Sequence, residues 1–403
     1  MLTTLLLIAT AQADSLQVDS AFVTEVSEVV EYQVGGNWTR VEKVEDDIYL
    51  FHAAGGDYWK ILLDENLQLN NDDRVPLTGH TDLDDHMLEK CPDGGYLHLA
   101  SGGLNQDSDF AYSFRYDANF NKLASGVLGE ADPDIRFNDM AALCHDKGIF
   151  GAFLVYDDWK TMIYILDDNG KKKERLTVSE LPIAEGASFM EDPIRGDLSL
   201  LTASPAKDGL YINWMTWDLI YQGNRRILDI KPDDGQAFWP QGHMRIDDYT
   251  LIAYVMQPTD QGYIGEFGNI WLAVFDLEWN LVENLKITHD DGPGGTMRPN
   301  LTLIDDVLYV GFDEMENFPP GDIQPRLLTM NLDLEAFVDP TDSSTGDTAP
   351  CPDDTDTEDT GDDEEPIEST CSCSQSQGSF PKSSWPLLFG LLSFGRRRRA
   401  KSA

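Results

Sequence analysis

The chain has 403 residues and sets 72 acidic against 29 basic side chains, a formal charge of −43. Such a surface repels nucleic-acid phosphates and anionic lipids, so nucleic acid is excluded as a partner, while divalent cations and basic partners would be attracted. The length allows one large domain or two ordinary ones, and the 41 % of hydrophobic residues suffices for a sizeable core.

Residues 2–9 are almost entirely apolar, and Ala11, Gln12 and Ala13 have the small-x-small form that a signal peptidase accepts. Residues 1–13 therefore read as a signal peptide, although no Lys or Arg precedes the apolar run. A strand-like stretch at 21–30 follows and opens a repeating region. Apolar runs that end in a charged turn close at Asp64, Asp117, Asp167, Asp218, Asp276 and Asn331, with gaps of 53, 50, 51, 58 and 55 residues. Each unit carries a second, upstream mark where a short run meets an acidic or Gly turn: Asp46-Asp47, 92–95, 146–148, 195–197, Asp247-Asp248 and Asp305-Asp306. Two strands meeting at such a turn make a hairpin, so every unit predicts three or four antiparallel strands. No stretch has a helical period of 3.6, and β-branched and aromatic residues dominate the runs.

Four-strand units recurring every 40 to 60 residues are the signature of β-propeller blades, because each small sheet buries both faces only against its neighbours in a ring. The expectation is an all-β, six-bladed β-propeller over residues 18–339, with the 21–30 stretch completing the last blade and clasping the ring. Five or seven blades, or packed β-sandwiches, are the alternatives. In period and turn pattern the blades resemble six-bladed propellers of the TolB and NHL types, a resemblance that carries no activity with it. The Gly-His…Trp-Asp signature, the Kelch double glycine and the Ser-x-Asp-x-Gly-x-x-Trp box are missing, as are a Ser-His-Asp arrangement, a phosphate-binding glycine loop and a nicotinamide fingerprint.

Aligning the units places a polar residue at the start of each inner strand: His86, Asp139, Asp192, Trp239 and Arg298. Inner strands line a propeller's channel, so these are the candidate binding residues at one mouth, joined by Asp85, Glu191 and His243. Asp139, Asp192, Glu191 and His243 are the candidate acids and bases for work on a glycan. His80, Asp85 and His86 are candidate metal ligands. No cofactor is expected beyond a divalent cation such as Ca2+, held by Asp139 and Asp192. Arg195-Gly-Asp197 falls at a repeat turn and reads as a hairpin rather than an adhesion tripeptide. Cys91 and Cys144 follow Met87 and Met140 by four residues each, which puts them at equivalent places on adjacent inner strands and makes a disulfide conceivable.

Residues 340–370 are rich in Asp, Thr, Gly, Pro and Glu; the tract 342–368 holds 12 acids, and the stretch from Lys382 onward holds six bases, so the remainder still carries near −37. Acid repulsion keeps such a spacer extended. Cys371 and Cys373 come next, then a ten-residue apolar stretch at 385–394, interrupted by Ser393, and four arginines at 396–399. Ten residues are half of what a free-standing transmembrane helix needs, and basic residues after an apolar segment stay on the cytoplasmic side. This tail resembles the Myxo-CTERM sorting signals of myxobacteria. The resemblance covers about the last thirty residues, and it implies cleavage near Cys371 or Cys373 by a dedicated intramembrane protease and display on the outer surface. The expectation is thus a monomeric, exported bacterial protein on the cell surface or outer membrane, binding a protein or glycan, with a polysaccharide hydrolase or lyase as the alternative.

Overall fold

The computed structural model describes residues 16–17, 19–102, 110–129, 137–155, 160–178, 186–203, 206–231, 233–259, 267–289, 294–315 and 323–337. They form an all-β ring of six blades, each a four-stranded antiparallel sheet, as the repeats predict. The inner strands are Asn37–Val44, Leu83–Lys90, Phe137–His145, Ala187–Glu191, Gln236–Ile246 and Gly295–Ile304. All run from a starting mouth toward a mouth where they turn back as hairpins. The first blade then adds Asp47–Ala54, Asp57–Leu63 and Leu69–Pro76, moving outward, and blades two to five repeat that order. Blade six has three strands of its own and takes its outer strand, Val23–Val26, from the N-terminal side of the ring; Val30–Glu31 pairs with the same neighbour, Ile323–Leu332. The single short helix among the described residues is a 3-10 turn at Leu334–Phe337.

Burial explains the sequence pattern. Second strands such as Tyr96–Gly102 and Leu198–Ala203 are buried at every position, because both faces of the sheet meet other blades. Outer strands such as Lys122–Gly129 and Tyr221–Asp229 are largely exposed over their first six residues. Inner strands have one unpaired edge, and side chains of adjacent blades satisfy part of it. Thr302 Oγ1 donates to the Val41 carbonyl at 2.7 Å, Asn300 Nδ2 to that of Thr39 at 3.1 Å, and Ser188 Oγ to that of Gln241 at 2.6 Å. Arg40 reaches the carbonyl of Leu88.

The repeat marks have a physical basis. The Oδ1 of Asp64, Asp117, Asp167 and Asp276 accepts backbone N–H bonds within the outer turn, at 2.7 to 2.9 Å. Three residues later Leu67, Phe120, Gly170 and Trp279 adopt positive φ. In blade four the turn is capped by Thr216 instead of Asp218, through Thr216 Oγ1 to Ile220 N at 3.1 Å. In blade six Asp333 takes this place instead of Asn331 and opens the 3-10 turn. The inner hairpins of blades five and six turn on Asp247-Asp248 and Asp305-Asp306, with the first residue in the left-handed region; in blade one the pair is Glu45-Asp46.

Candidate functional site

Inner strands begin with bulges. Trp38, Asp139, Trp239 and Arg298 lie at register shifts near the starting mouth and have φ of +58°, +30°, +52° and +53°. Non-glycine residues in this region store strain that packing must hold. Blade four uses Gly186 at φ +78°, where an added Cβ would lie 2.7 Å from the Trp239 Cα. The Arg298 guanidinium stands 4.6 Å from the ring centre of Trp38 and 4.9 Å from that of Trp239, and the two indoles meet edge to face. Arg298 also pairs with buried Asp313 at 3.5 Å. Asp313 accepts bonds from Trp38 N, Thr39 N and Thr39 Oγ1 at 2.8, 3.1 and 2.7 Å, while burial pushes its carboxyl up. Asp85, bonded to Ser101 Oγ at 3.2 Å, is pushed up to about 6 by burial against the pull of Arg298. Arg298, Trp38 and Trp239 thus form a packed plug across blades six, one and five.

Asp139 and Arg298 therefore share the starting-mouth level, but Asp192 does not. It begins the hairpin turn at the far end of its strand, so Asp139 and Asp192 stand at opposite ends of the channel. Asp192 Oδ2 accepts the indole N–H of Trp214 at 2.7 Å and of Trp279 at 3.0 Å; Oδ1 accepts Ile194 N at 3.1 Å and Arg195 N at 2.8 Å. These bonds hold its carboxyl below the usual range against the effect of burial. Trp279 is only 3 % exposed. Glu191 is held at the same far end by Lys147 at 2.8 Å and His145 at 3.2 Å, which lower its pKa. Nearby, Cys91 and Cys144 form a disulfide between blades two and three, with Cα atoms 4.7 Å apart.

His86 is not a mouth residue. It stacks on Tyr58 with centroids 4.9 Å apart and pairs with His98 at 3.0 Å, inside the packing of blades one and two. His80 lies 3.7 Å from Asp82 and against Tyr112. His80, Asp85 and His86 do not converge, and among the described residues no group of three or more His, Cys, Asp or Glu could hold a metal. Cys371, Cys373 and the 385–394 segment lie outside the described residues. No described helix is long and apolar enough to cross a membrane.

Beyond the plug, a cavity of about 270 Å³ occupies the hairpin side of the channel, lined by residues from all six inner strands. Its polar wall includes Arg40, Glu42, Glu89, Gln241 and His243. Arg40 Nε donates to Glu42 at 2.7 Å. Burial pushes Glu89 up to about 7 against the attraction of Arg40. Burial, and then Arg40, holds His243 down to about 4, so its ring is neutral at physiological pH. Arg40, Glu42, Glu89 and Gln241 escaped the sequence reading. Their one local signal is a charged or amide side chain within an inner strand, as in Arg40-Val41-Glu42, and it does not say that the four converge.

The sequence matches no family model, and no curated protein is similar to it in sequence. Solved structures align with it at low identity. A Trypanosoma rangeli sialidase in complex with sialic acid aligns at 11 % identity and a TM-score of 0.47, covering 79 % of this chain and 58 % of that one. A luciferin-regenerating enzyme aligns at 12 % and 0.46, over 75 % and 95 %, and an endo-arabinanase from Bacillus licheniformis at 10 % and 0.41, over 75 % and 95 %. Likeness at this level assigns no substrate.

Proposed function

We propose that this chain is an exported propeller, displayed on a bacterial cell surface, that binds a protein or glycan rather than cleaving one. The observation that carries the reading is the fate of the acids: Asp192 has both oxygens filled by indole and backbone donors, Glu191 is tied to Lys147 and His145, and both stand at the far end of the channel from Asp139. A glycosidase needs two carboxyl groups facing one bond, roughly 5 to 10 Å apart. Asp139 forms no such pair with Asp192 or Glu191, and the oxygens of those two are already engaged by protein donors. Export is supported by the leader at 1–13, by a disulfide that suits an oxidising compartment, and by the spacer, cysteines, apolar segment and arginines that follow one another at the C-terminus. In this reading residues 340–370 space the propeller from the membrane and 371–403 are the sorting signal.

The full chain, incubated with immobilised polysaccharides, should be retained on some of them and release no reducing ends. Release of reducing ends that Asp139→Asn abolishes would establish the hydrolase instead. In native cells the protein should fractionate with the surface and lack the arginines at 396–399; an intact tail on a cytoplasmic protein would end the anchoring proposal.

A further inference from the structure

The channel cavity contains polar atoms that the fold leaves unused. Gln241 is 4 % exposed, yet neither its amide oxygen nor its amide nitrogen has a hydrogen-bond partner. Nδ1 of His243, two residues further along the strand, is also buried without one. A buried amide is stable only where its donor and acceptor find partners. Gln241 and His243 line the cavity, so whatever occupies it, solvent or ligand, has to offer both donors and acceptors.

We propose that the cavity is a binding site for a neutral, polyhydroxylated small molecule the size of one sugar ring, entering from the hairpin mouth. Access is on that side because the Trp38, Arg298 and Trp239 plug closes the other, whereas the lining residue Lys43 is 35 % exposed in its side chain. Neutrality follows from the charges already present. Of the three lining cations, Arg40 is paired with Glu42 at 2.7 Å, Lys43 meets Asp305 at 3.0 Å, and Lys90 is exposed at the hairpin mouth where solvent screens it, so the buried wall offers an incoming anion no unpaired cation. Hydroxyl groups both donate and accept, and so match an amide with two open ends beside a neutral imidazole. Met87, Ala142 and Leu301 supply apolar wall for the C–H face of such a ring. The site is at the opposite end of the channel from the plug and does not depend on the polysaccharide-binding reading.

The test is titration calorimetry and thermal melting of the full chain with D-glucose, D-galactose and N-acetyl-D-glucosamine to about 50 mM, which would saturate a site of millimolar Kd. At least one sugar should bind and raise the melting temperature. Gln241→Leu should weaken that binding at least tenfold while raising the melting temperature of the unliganded protein, a combination that a merely structural glutamine would not give. If Gln241→Leu does not melt cooperatively, His243→Leu carries the same binding test. No binding of any of the three sugars, unchanged binding by the variant, or tighter binding of D-glucuronate than of the neutral sugars would each overturn the proposal. A chain that is retained on polysaccharide but ignores these sugars would lose the channel site alone.

Discussion

Glu89 makes the energetic character of the channel measurable. Its carboxyl titrates near 4.5 in an unfolded chain but is pushed up to about 7 by burial in the fold. A raised carboxyl pKa means that the folded state holds a proton which the unfolded state releases. Stability is therefore lost as pH rises from about 4.5 through 7, and the loss is complete above that. A shift of this size corresponds to at most about 3 kcal/mol, since one unit is about 1.4 kcal/mol. Glu89→Gln keeps the shape and removes the titration. Denaturant unfolding should find the variant more stable than the parent at pH 8, by up to that amount, with the difference vanishing below pH 4. Equal stabilities at pH 8 would mean that Glu89 is solvated and that the channel is wetter than its packing indicates.

At the scale of strands, a buried aromatic stack joins blades one and two. His86 and His98 lie 3.0 Å apart and both stack on Tyr58, and His52 is fully buried nearby. Burial, then the charge of Arg74, holds His52 down to about 4; burial holds His86 down to about 3 and His98 well below its ordinary value. These depressed values mean that the unfolded chain takes up protons that the fold refuses. Stability should fall as pH drops below about 6.5 and keep falling past 4, by which point His52 alone accounts for roughly 3 kcal/mol. Melting temperatures across that window should show a steep decline that His52→Gln makes shallower; an unaltered slope would place the acid sensitivity elsewhere. The same strands show what a sequence can and cannot yield. The outer turns were legible because an Asp that caps a turn and a left-handed residue three places on form a local device, readable without tertiary context. Asp192 was misplaced because Asp-Pro in blade four looks like the Trp-Pro and Arg-Pro of blades five and six. A residue before proline favours extended backbone both in a bulge and at a turn, and only the short strand Ala187–Glu191 separates the two cases. Gln241 and Glu89 were illegible because convergence in a channel depends on how six strands tilt around one axis.

For the molecule as a whole, ring closure rests on the chain's two ends meeting in blade six. Val23–Val26 pairs with Ile323–Leu332, Ser27 N donates to the Thr329 carbonyl at 2.9 Å while Thr329 N donates to Ser27 Oγ at 2.9 Å, and Phe22 packs on Phe337 with ring centres 4.7 Å apart. Without that strand, Met330 to Leu332 would lose their partners and only Val30–Glu31 and the turn after it would still cover the edge of Ile323–Leu332, and an open edge is the kind that pairs with other chains. Val23 and Val26, 1 % and 5 % exposed, are the buried residues of the clasp, and a carboxylate at either place would have no partner. The double variant Val23→Asp, Val26→Asp should lose about 4 kcal/mol or more. It should also self-associate, as light scattering after gel filtration would detect. The control is the same pair of changes at Val75 and Val127, which are 45 % and 49 % exposed on the outer strands of blades one and two and add the same charge. If the two double variants melt alike and both remain monomeric, the blades hold together through their mutual packing and the clasp is an ornament on an already closed ring. If only the first one opens, the N-terminal strand couples blade one to blade six, and the propeller acquires its full stability only after both ends of the chain have been made.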